Sequence, residues 1–297
     1  MLALLKDLVA RQAWLDAIGD PLQKLINGIY RRGRITGPLQ NSLNGVWIGH
    51  PLHPLITDVP IGAWTATAVL DGVGLATGQQ SLQTAANITL ATGLAGAVGA
   101  AVTGFTDWKD TYGEGKKTGL FHGLAMVATV VLYTASLIVR LTSNSGRSSR
   151  GSVGTGLGYA GYVVMAFGAY FGGEEVFDLG SGVNRTAFLQ SGPHDFVAVM
   201  AAADLKVGEP AKADAKGVPI LLVNTGSQVY ALHDTCVHLG CSLASGSLKG
   251  NSIVCPCHGS QFDLLNGRVI NGPATMPQPH FEVRNEGGMI EVRLATL

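Results

Sequence analysis

The residues best suited to chemistry are cysteines and histidines clustered near the C-terminal end of the chain. They form two short segments, Cys236-Val-His238-Leu-Gly-Cys241 and Cys255-Pro-Cys257-His258-Gly-Ser260. Cysteines clustered with histidines between them favour a metal site over a disulfide framework. One Cys-x-His and one Cys-x-x-His supply two thiolates and two neutral imidazoles, so the thiolates can hold one iron while the imidazoles hold another. A structural zinc ion bound by two cysteines and two histidines is the alternative.

The sequence around these ligands resembles the Rieske [2Fe–2S] family over about Asp195 to Val292. Besides the four ligands, the resemblance is carried by Gly240, Gly246, Pro256, Gly259, Phe262-Asp263, Gly267 and Gly272-Pro273-Ala274. It favours the cluster over zinc and implies an outer iron held by His238 and His258. The inner iron would be held by Cys236 and Cys255. Gly272 and Pro273 would belong to a loop that covers the cluster.

The same resemblance gives expectations for the other cysteines and for the cluster's surroundings. In the cytochrome-bc-type branch, cysteines at the places of Cys241 and Cys257 join the two cluster loops by a disulfide, which soluble ferredoxin and oxygenase domains generally lack. Two buried free thiols are the alternative. Ser260 retains a hydroxyl that high-potential members direct at a bridging sulfide, whereas Phe262 stands where they typically carry Tyr. We expect a potential in the middle to upper part of a range of roughly −150 to +300 mV.

The rest of the chain predicts a membrane protein. The 297 residues contain 20 Lys and Arg and 20 Asp and Glu, a balance that gives no basic field for nucleic acid and excludes it as a partner. Three stretches lack charge and exceed the ~20 residues that a helix needs to cross a bilayer, and a fourth contains Asp58 and Asp71. These predict four transmembrane helices: Pro54–Ala76, Ser81–Thr106, Thr118–Val139 and Gly151–Gly173.

The predicted organisation is multi-domain. Residues 1–48 form amphipathic N-terminal helices with a break at Asp20-Pro21, lying on the membrane surface or packing against the bundle. Residues 49–173 form a four-helix transmembrane α bundle, and residues 174–193 a linker. Residues 194–297 form an all-β Rieske domain, an antiparallel β sandwich of the iron–sulfur-protein type. Its strand candidates are Phe196–Met200, Val218–Val223, Val229–Leu232, Ile253–Cys255, Phe281–Arg284 and Met289–Val292, with a final hairpin turn at Glu286-Gly287-Gly288.

Histidines in the membrane half suggest a second redox site. Residues 49–173 resemble a widespread family of uncharacterised four-helix bacterial membrane proteins, with a His-Pro-x-His-Pro segment that contains His50 and His53. Ionisable groups at membrane depth are costly and are often functional. One hypothesis is a b-type haem with axial ligands from His53, or His50, and His122, or a quinone site beside them. The alternative is that these groups hydrogen-bond helix ends.

Charge asymmetry predicts the sidedness of a multi-pass protein of the bacterial inner membrane. Four crossings place the N-terminus, the loop between the second and third helices and the C-terminus on one side. The positive-inside rule puts that side, with the Rieske domain, in the cytoplasm. A Cys241–Cys257 disulfide argues for an oxidising compartment. The basic residues on the Rieske side are Lys6, Arg11, Lys24, Arg31, Arg32, Arg34, Lys109, Lys116 and Lys117, against Arg140, Arg147 and Arg150 on the other side.

Three functional classes follow. The first is a membrane-anchored carrier passing single electrons between a membrane donor and a protein acceptor. The second is a quinol-oxidising subunit in which His238 or His258 accepts a quinol hydrogen bond, and the third is a redox sensor. A self-contained Rieske oxygenase is not expected, because no segment for a mononuclear iron domain follows the β domain. The expected partners are a redox protein, a quinone in the second class, and membrane lipid.

Overall fold

The computed structural model describes the backbone of residues 2–31, 37–142, 149–189 and 191–295. Its contacts divide the chain into two units, Met1–Arg32 with Leu52–Ser181, and Gly33–Pro51 with Gly182–Leu297. The first unit is helical and the second is mainly β. This division differs from the boundary drawn from the sequence at residue 48, because residues 33–51 belong to the β unit.

Seven α-helices occur in the described residues: α1 Leu2–Ala10, α2 Ala13–Arg31, α3 Gly37–Asn44, α4 Leu52–Thr77, α5 Gln80–Trp108, α6 Gly113–Thr142 and α7 Ser149–Phe177. Within that part of the chain, α4, α5 and α6 are long and apolar enough to cross a membrane. The fourth predicted span forms α7, whose eight glycines and final Glu174-Glu175 lower its hydropathy. By length and composition, the predicted count of four spanning helices is therefore one too many for the described residues. Residues 143–148 of the predicted polar loop lie outside the described residues.

The N-terminal helices pack against the helices of their own unit. Leu15 and Ile26 of α2 are buried in one cluster with Trp108, Leu120 and Phe171. Because these two side chains lie on either side of Pro21, their burial offsets the roughly 3 kcal/mol cost of an interior proline. The predicted helix break at Asp20-Pro21 is therefore wrong, and α2 runs through it.

The long helices form two equivalent hairpins, α4–α5 and α6–α7. Trp64 of α4 stacks on Tyr133 of α6 with ring centroids 4.4 Å apart. Arg140 of α6 forms a bidentate ion pair with Asp71 of α4, in which the two guanidinium nitrogens lie 2.8 and 2.5 Å from the two carboxylate oxygens. The members of each pair are 69 residues apart. The equal offset means that α4 and α6 pack side by side in register, and we describe the two hairpins as related by a pseudo-twofold axis between them.

The second unit contains two antiparallel sheets. The strands are β1 Val197–Ala201, β2 Pro210–Ala215, β3 Val218–Asn224, β4 Val229–His233, β5 Ser247–Leu248, β6 Ser252–Val254, β7 Gln261–Asp263, β8 Val269–Asn271, β9 His280–Glu286 and β10 Met289–Leu294. The larger sheet has the strand order β1-β10-β9-β4-β3-β2 and the smaller sheet the order β5-β6-β7-β8. Side chains from both sheets, including Leu221, Leu232, Ile253 and Phe262, form one buried cluster around the cysteines.

All six predicted strands are present. The final hairpin pairs Glu286 with Met289 through Gly287 and Gly288, whose positive φ angles of 58° and 81° suit a tight turn. The sequence analysis missed β2, β5, β7 and β8. Three of these strands have only two or three residues, too few for an alternating pattern to emerge.

Burial of His233 predicts acid sensitivity of the β unit. The side chain is 1% exposed, its Nδ1 accepts the Thr235 amide hydrogen at 3.1 Å, and burial lowers its pKa from 6.5. The unfolded chain therefore binds the proton more readily. The contribution to stability is complete above pH 6.5 and falls by up to about 1.4 kcal/mol per pH unit as the pH drops towards the folded-state pKa.

Urea unfolding of the intact protein and of His233→Gln between pH 7.5 and pH 5 measures this contribution. We expect the native protein to lose stability faster than the variant as the pH falls. Parallel curves would show that His233 is not the group responsible.

Candidate metal centre

The two predicted metal-binding loops close in the same way. In the first loop, the Cys236 amide donates to the Cys241 carbonyl and the Gly240 amide donates back to the Cys236 carbonyl, at 2.8 and 2.9 Å. In the second loop, the Cys255 amide donates to the Ser260 carbonyl at 2.8 Å and the Gly259 amide to the Cys255 carbonyl at 3.1 Å. Gly240 and Gly259 have φ near +80°, which a glycine adopts without strain.

The thiols of Cys236 and Cys255 lie within hydrogen-bonding reach of one another, and both residues are buried. Their hydrogen bond raises the pKa of Cys236, and burial adds to this effect. The same bond lowers the pKa of Cys255 below its usual value, with help from the backbone amides of Cys257 and His258. A thiolate, rather than a thiol, is the metal ligand, so the loop geometry prepares Cys255 for binding.

His238 and His258 bring their rings together beside the thiols. The ring centroids are 5.1 Å apart and the planes are nearly perpendicular, at 83°. With metal–nitrogen bonds of about 2.0–2.1 Å, two imidazoles on one tetrahedral ion would have centroids about 5.2 Å apart. Both histidines are half-buried, whereas Cys236 and Cys255 are buried. The donor set therefore fits a two-metal centre with an inner thiolate side and an outer imidazole side.

Cys241 and Cys257 form a disulfide that joins the two loops, with their Cα atoms 6.5 Å apart. Sγ of Cys255 lies within 4.8 Å of both disulfide sulfurs. The bonded sulfurs carry no thiolate to offer a metal, so this grouping is not a ligand set. The disulfide that the resemblance implied is present.

Ser260 connects the second loop to the Gly272-Pro273-Ala274 segment. Its buried hydroxyl oxygen accepts the Ala274 amide hydrogen at 3.0 Å, which leaves the hydroxyl hydrogen available for a sulfide of a bound cluster. Phe262 is fully buried beside the cysteines and offers no donor. Hydrogen bonds to sulfur tune the potential of such centres.

Two buried polar residues that the sequence analysis missed hold the first loop. The Gln278 amide donates to the carbonyls of His233 and Thr235, both at 2.6 Å, and its oxygen accepts from the Val237 amide at 3.1 Å. Asp234 accepts from the Ser242 hydroxyl and from the Ala244 amide at 2.7 Å. Neither residue belongs to a spacing motif, so tertiary structure was needed to find them.

The helix α3 contacts the segment that was predicted to cover the cluster. Asn41 accepts from the Gly272 amide and donates to the Ile270 carbonyl, both at 2.9 Å. The Asn44 amide lies 3.4 Å from the Pro273 carbonyl. The sequence analysis assigned this helix to the amphipathic N-terminal region and gave it no role at the site.

The predicted membrane histidines separate into two groups. His50 is exposed, and its Nδ1 lies 3.1 Å from the Pro51 carbonyl oxygen. His53 and His122 face each other with ring centroids 6.4 Å apart. Asp58 is exposed and lies on α4.

Comparison with known proteins decides the family of the β unit. Residues 195–282 match the model of the Rieske [2Fe-2S] domain. Ferredoxin CarAc of Metapseudomonas resinovorans is 37% identical over 95 residues, which cover 32% of this chain and 89% of that protein. The chain belongs to the Rieske [2Fe–2S] family. Residues 49–185 match a second family, described as a predicted membrane protein (DUF2231). One polypeptide thus fuses a Rieske domain to a membrane-protein domain, as the two resemblances predicted.

Two further ferredoxins are similar to the Rieske domain of this chain. The 3-phenylpropionate/cinnamic acid dioxygenase ferredoxin subunit of Escherichia coli K12 is 38% identical over 93 residues, covering 31% of this chain and 87% of the subunit. The ferredoxin of carbazole 1,9a-dioxygenase from Nocardioides aromaticivorans IC177 is a solved structure with 29% identity and a TM-score of 0.33. It covers 34% of this chain and 98% of its own. The Rieske domain implies a [2Fe–2S] cluster and an electron-transfer role of the ferredoxin type.

Phe262→Tyr would test how the surroundings of the Rieske centre set its potential. A phenol hydroxyl that donates to a ligand sulfur would stabilise the reduced state. A hydrogen bond of about 0.5–1.5 kcal/mol corresponds to a rise of about 20–65 mV for one electron. Redox titration followed by EPR measures the shift in potential. The control is Phe281→Tyr, because Phe281 lies in a separate hydrophobic cluster that does not contain the cysteines. A fall in potential, or an equal rise in the control, would contradict this interpretation.

Proposed function

We propose that the protein is a membrane-anchored Rieske electron carrier that passes single electrons between a membrane redox donor and a protein acceptor. Cys236 and Cys255 would hold the inner iron of the cluster, and His238 and His258 the outer iron. When bound, the cluster supplies a reversible one-electron centre. The chain's own groups bind it, exclude water from its thiolate side and place Ser260 to donate to a sulfide.

The unequal burial of the ligands carries this proposal. Both thiols are buried, whereas both imidazoles reach the surface of the Rieske unit. Electrons would therefore enter and leave through the histidine edge, where a protein acceptor can dock. The ferredoxin names of the curated relatives support an acceptor of the oxygenase type.

Membrane anchoring is proposed from the apolar helices α4, α5 and α6 and from the match to a predicted membrane protein. We place α7 in the membrane as well, because it packs against α6 through contacts spread along both helices. The Ser136 hydroxyl donates to the Gly154 carbonyl at 2.6 Å, and His122 Nδ1 lies 2.8 Å from the Gly168 carbonyl. Lipid would then surround four crossing helices.

The proposed sidedness puts the Rieske unit in the cytoplasm of a bacterial cell. It rests on the excess of Lys and Arg at that end of the helices. Arg140 is buried against Asp71 and no longer counts as a loop charge on the other side. Arg32, Arg34, Arg147 and the side chains of Arg31 and Arg150 lie outside the described residues. The Cys241–Cys257 disulfide argues for the opposite side. Protease accessibility of the Rieske unit in right-side-out and inverted vesicles distinguishes the two.

A quinol-oxidising subunit is the second candidate. The disulfide between the cluster loops favours it, because the resemblance associates that disulfide with the cytochrome-bc-type branch. His238 or His258 would then accept a hydrogen bond from the quinol and couple proton transfer to electron transfer. A redox-sensing role is the third candidate.

Anaerobic stopped-flow measurements on the full chain in detergent test these functions. A carrier takes up one electron per cluster and is reoxidised by ferricytochrome c without losing iron. Reduction of the cluster by decylubiquinol alone would favour the quinol reaction. A cluster that is destroyed by one redox cycle would contradict both.

A further inference from the structure

The axis between the two helical hairpins carries a third pair of equivalent residues. His53 and His122 are 69 residues apart, like Trp64 and Tyr133 and like Asp71 and Arg140. The aromatic pair is tightly stacked and the charged pair is hydrogen-bonded, so both are complete as structural contacts. The histidine rings form a looser pair that lies edge to face, with centroids 6.4 Å apart.

Each histidine is held by its own hairpin in the same manner. Nδ1 of His53 lies 2.9 Å from the Ala100 carbonyl oxygen of α5, and Nδ1 of His122 lies 2.8 Å from the Gly168 carbonyl oxygen of α7. A carbonyl oxygen only accepts, so Nδ1 carries the hydrogen and Nε2 keeps its lone pair. This is the arrangement of metal-ligating histidines, whose other nitrogen usually donates to a carbonyl or a carboxylate.

Glycines allow the neighbouring helices to approach these rings. A Cβ atom at Gly104 would lie 2.9 Å from His53 Cε1, and one at Gly172 would lie 3.1 Å from His122 Cε1. Any larger residue at Gly104 would push the ring out of place. The two hairpins have thus kept the same combination of histidine, carbonyl and glycine on both sides of the axis.

The separation of the rings matches two ligands on opposite sides of one metal. With metal–nitrogen bonds of about 2.0–2.1 Å, imidazoles on opposite sides of one ion have centroids about 6.3 Å apart. The value for His53 and His122 is 6.4 Å, clearly longer than the 5.1 Å between the Rieske histidines. The interplanar angle of 79° is acceptable, because each ring can rotate about its bond to the metal.

The chemistry of the surroundings selects the kind of metal group. Among the described residues, the one cluster of three or more His, Cys, Asp or Glu ligands is that of Cys241, Cys255 and Cys257, in the other unit. A bare ion between His53 and His122 would therefore have two protein ligands. A tetrapyrrole supplies four nitrogens in a plane, needs two axial ligands and is compatible with apolar helices.

We propose that His53 and His122 are the axial ligands of a haem bound on the axis of the duplicated hairpins. The site does not depend on the function of the Rieske unit. If the chain is also an electron carrier, it would contain two one-electron centres, and the haem would be a candidate for the membrane donor. This last step rests on the proposed function. His50, the other histidine of the His-Pro-x-His-Pro segment, would have no part in binding.

Optical spectroscopy of the full chain tests the haem site. The protein is produced in cells supplied with 5-aminolevulinate and purified in mild detergent, and haem is quantified as the pyridine haemochrome. We expect one haem per chain in the native protein and in His50→Ala, and a loss of at least tenfold in His53→Gly and in His122→Gly. Free imidazole should restore haem binding to both glycine variants, which a purely structural histidine would not show.

A further variant distinguishes loss of the haem ligand from misfolding of the protein. His53→Met keeps a ligand at the same place, so haem should remain bound with an altered spectrum and a higher potential. Folded, monodisperse native protein without haem, or unchanged haem content in both glycine variants, would overturn the proposal. The Rieske EPR signal is read from the same samples, so failure of the haem site and failure of the carrier function are distinguishable.

Discussion

Cys255→Ser is expected to abolish the cluster, with the Rieske EPR signal lost and bound non-haem iron falling from about two atoms per chain to near zero. Cys255 is the thiol whose pKa is lowered by the hydrogen bond from Cys236 and by backbone amides. A serine hydroxyl in its place would stay protonated and would be a poor ligand for iron. Cys236→Ser should have the same effect. Iron analysis and EPR of the dithionite-reduced protein measure it.

The matched control is the double variant Cys241→Ser with Cys257→Ser. It removes the disulfide that joins the same two loops and leaves the four proposed ligands intact. We expect it to keep the EPR signal while losing about 2–4 kcal/mol of stability, the usual contribution of a disulfide. The ligand assignment would be wrong if this control lost the cluster while Cys255→Ser kept it.

Arg140→Met is expected to destabilise the helical unit by about 3–5 kcal/mol, because it leaves the carboxylate of Asp71 buried without its partner. The Arg140 guanidinium makes two hydrogen bonds to Asp71, at 2.8 and 2.5 Å, and the two side chains are 0% and 4% exposed. The double variant Asp71→Leu with Arg140→Met should recover most or all of this loss, because it removes both buried charges.

Thermal unfolding in mild detergent, followed by the helical circular dichroism signal, measures both variants of the ion pair. Lys117→Met is the control, since Lys117 pairs at 3.1 Å with Asp16, whose side chain is far more exposed. We expect a much smaller change there. Equal losses in the single and double variants would show that the pair contributes through packing and not through its charges.

The ligand assignment stays a prediction, but the two loops that carry it could be located from the spacing of cysteine and histidine in the sequence. Cys236, His238, Cys255 and His258 lie in local motifs, and glycines within those motifs set the turns. The supporting residues could not be predicted in this way. Gln278 lies about forty residues from the loop that it holds, and Asn41 is separated by 231 residues from the Gly272 amide that it binds. Such contacts depend on the tertiary structure, and a polar residue in a loop or short helix gives no periodic signal.

The helical unit shows the same division between local and tertiary information. Uncharged stretches predicted the positions of the long helices, and the N-terminal helices were expected either on the membrane or on the bundle. The partner of Asp71 was not predicted, because Arg140 is distant in the sequence and was counted as a loop charge. Comparing α4 with α6 at an offset of 69 residues would have aligned His53, Trp64 and Asp71 with their partners. Of these three pairs only His53 and His122 are identical, so the register of α4 against α6 became visible only in the structure.

An anaerobic redox titration of the full chain, followed by EPR and accompanied by iron and zinc analysis, tests the central claim most directly. We predict a Rieske signal that appears with the uptake of one electron per cluster, two non-haem irons per chain and a midpoint above about −50 mV. Protein that contains one tightly bound zinc ion and gives no EPR signal on reduction would contradict the claim. In that case Cys236, His238, Cys255 and His258 would form a structural metal site, and the chain would not carry electrons.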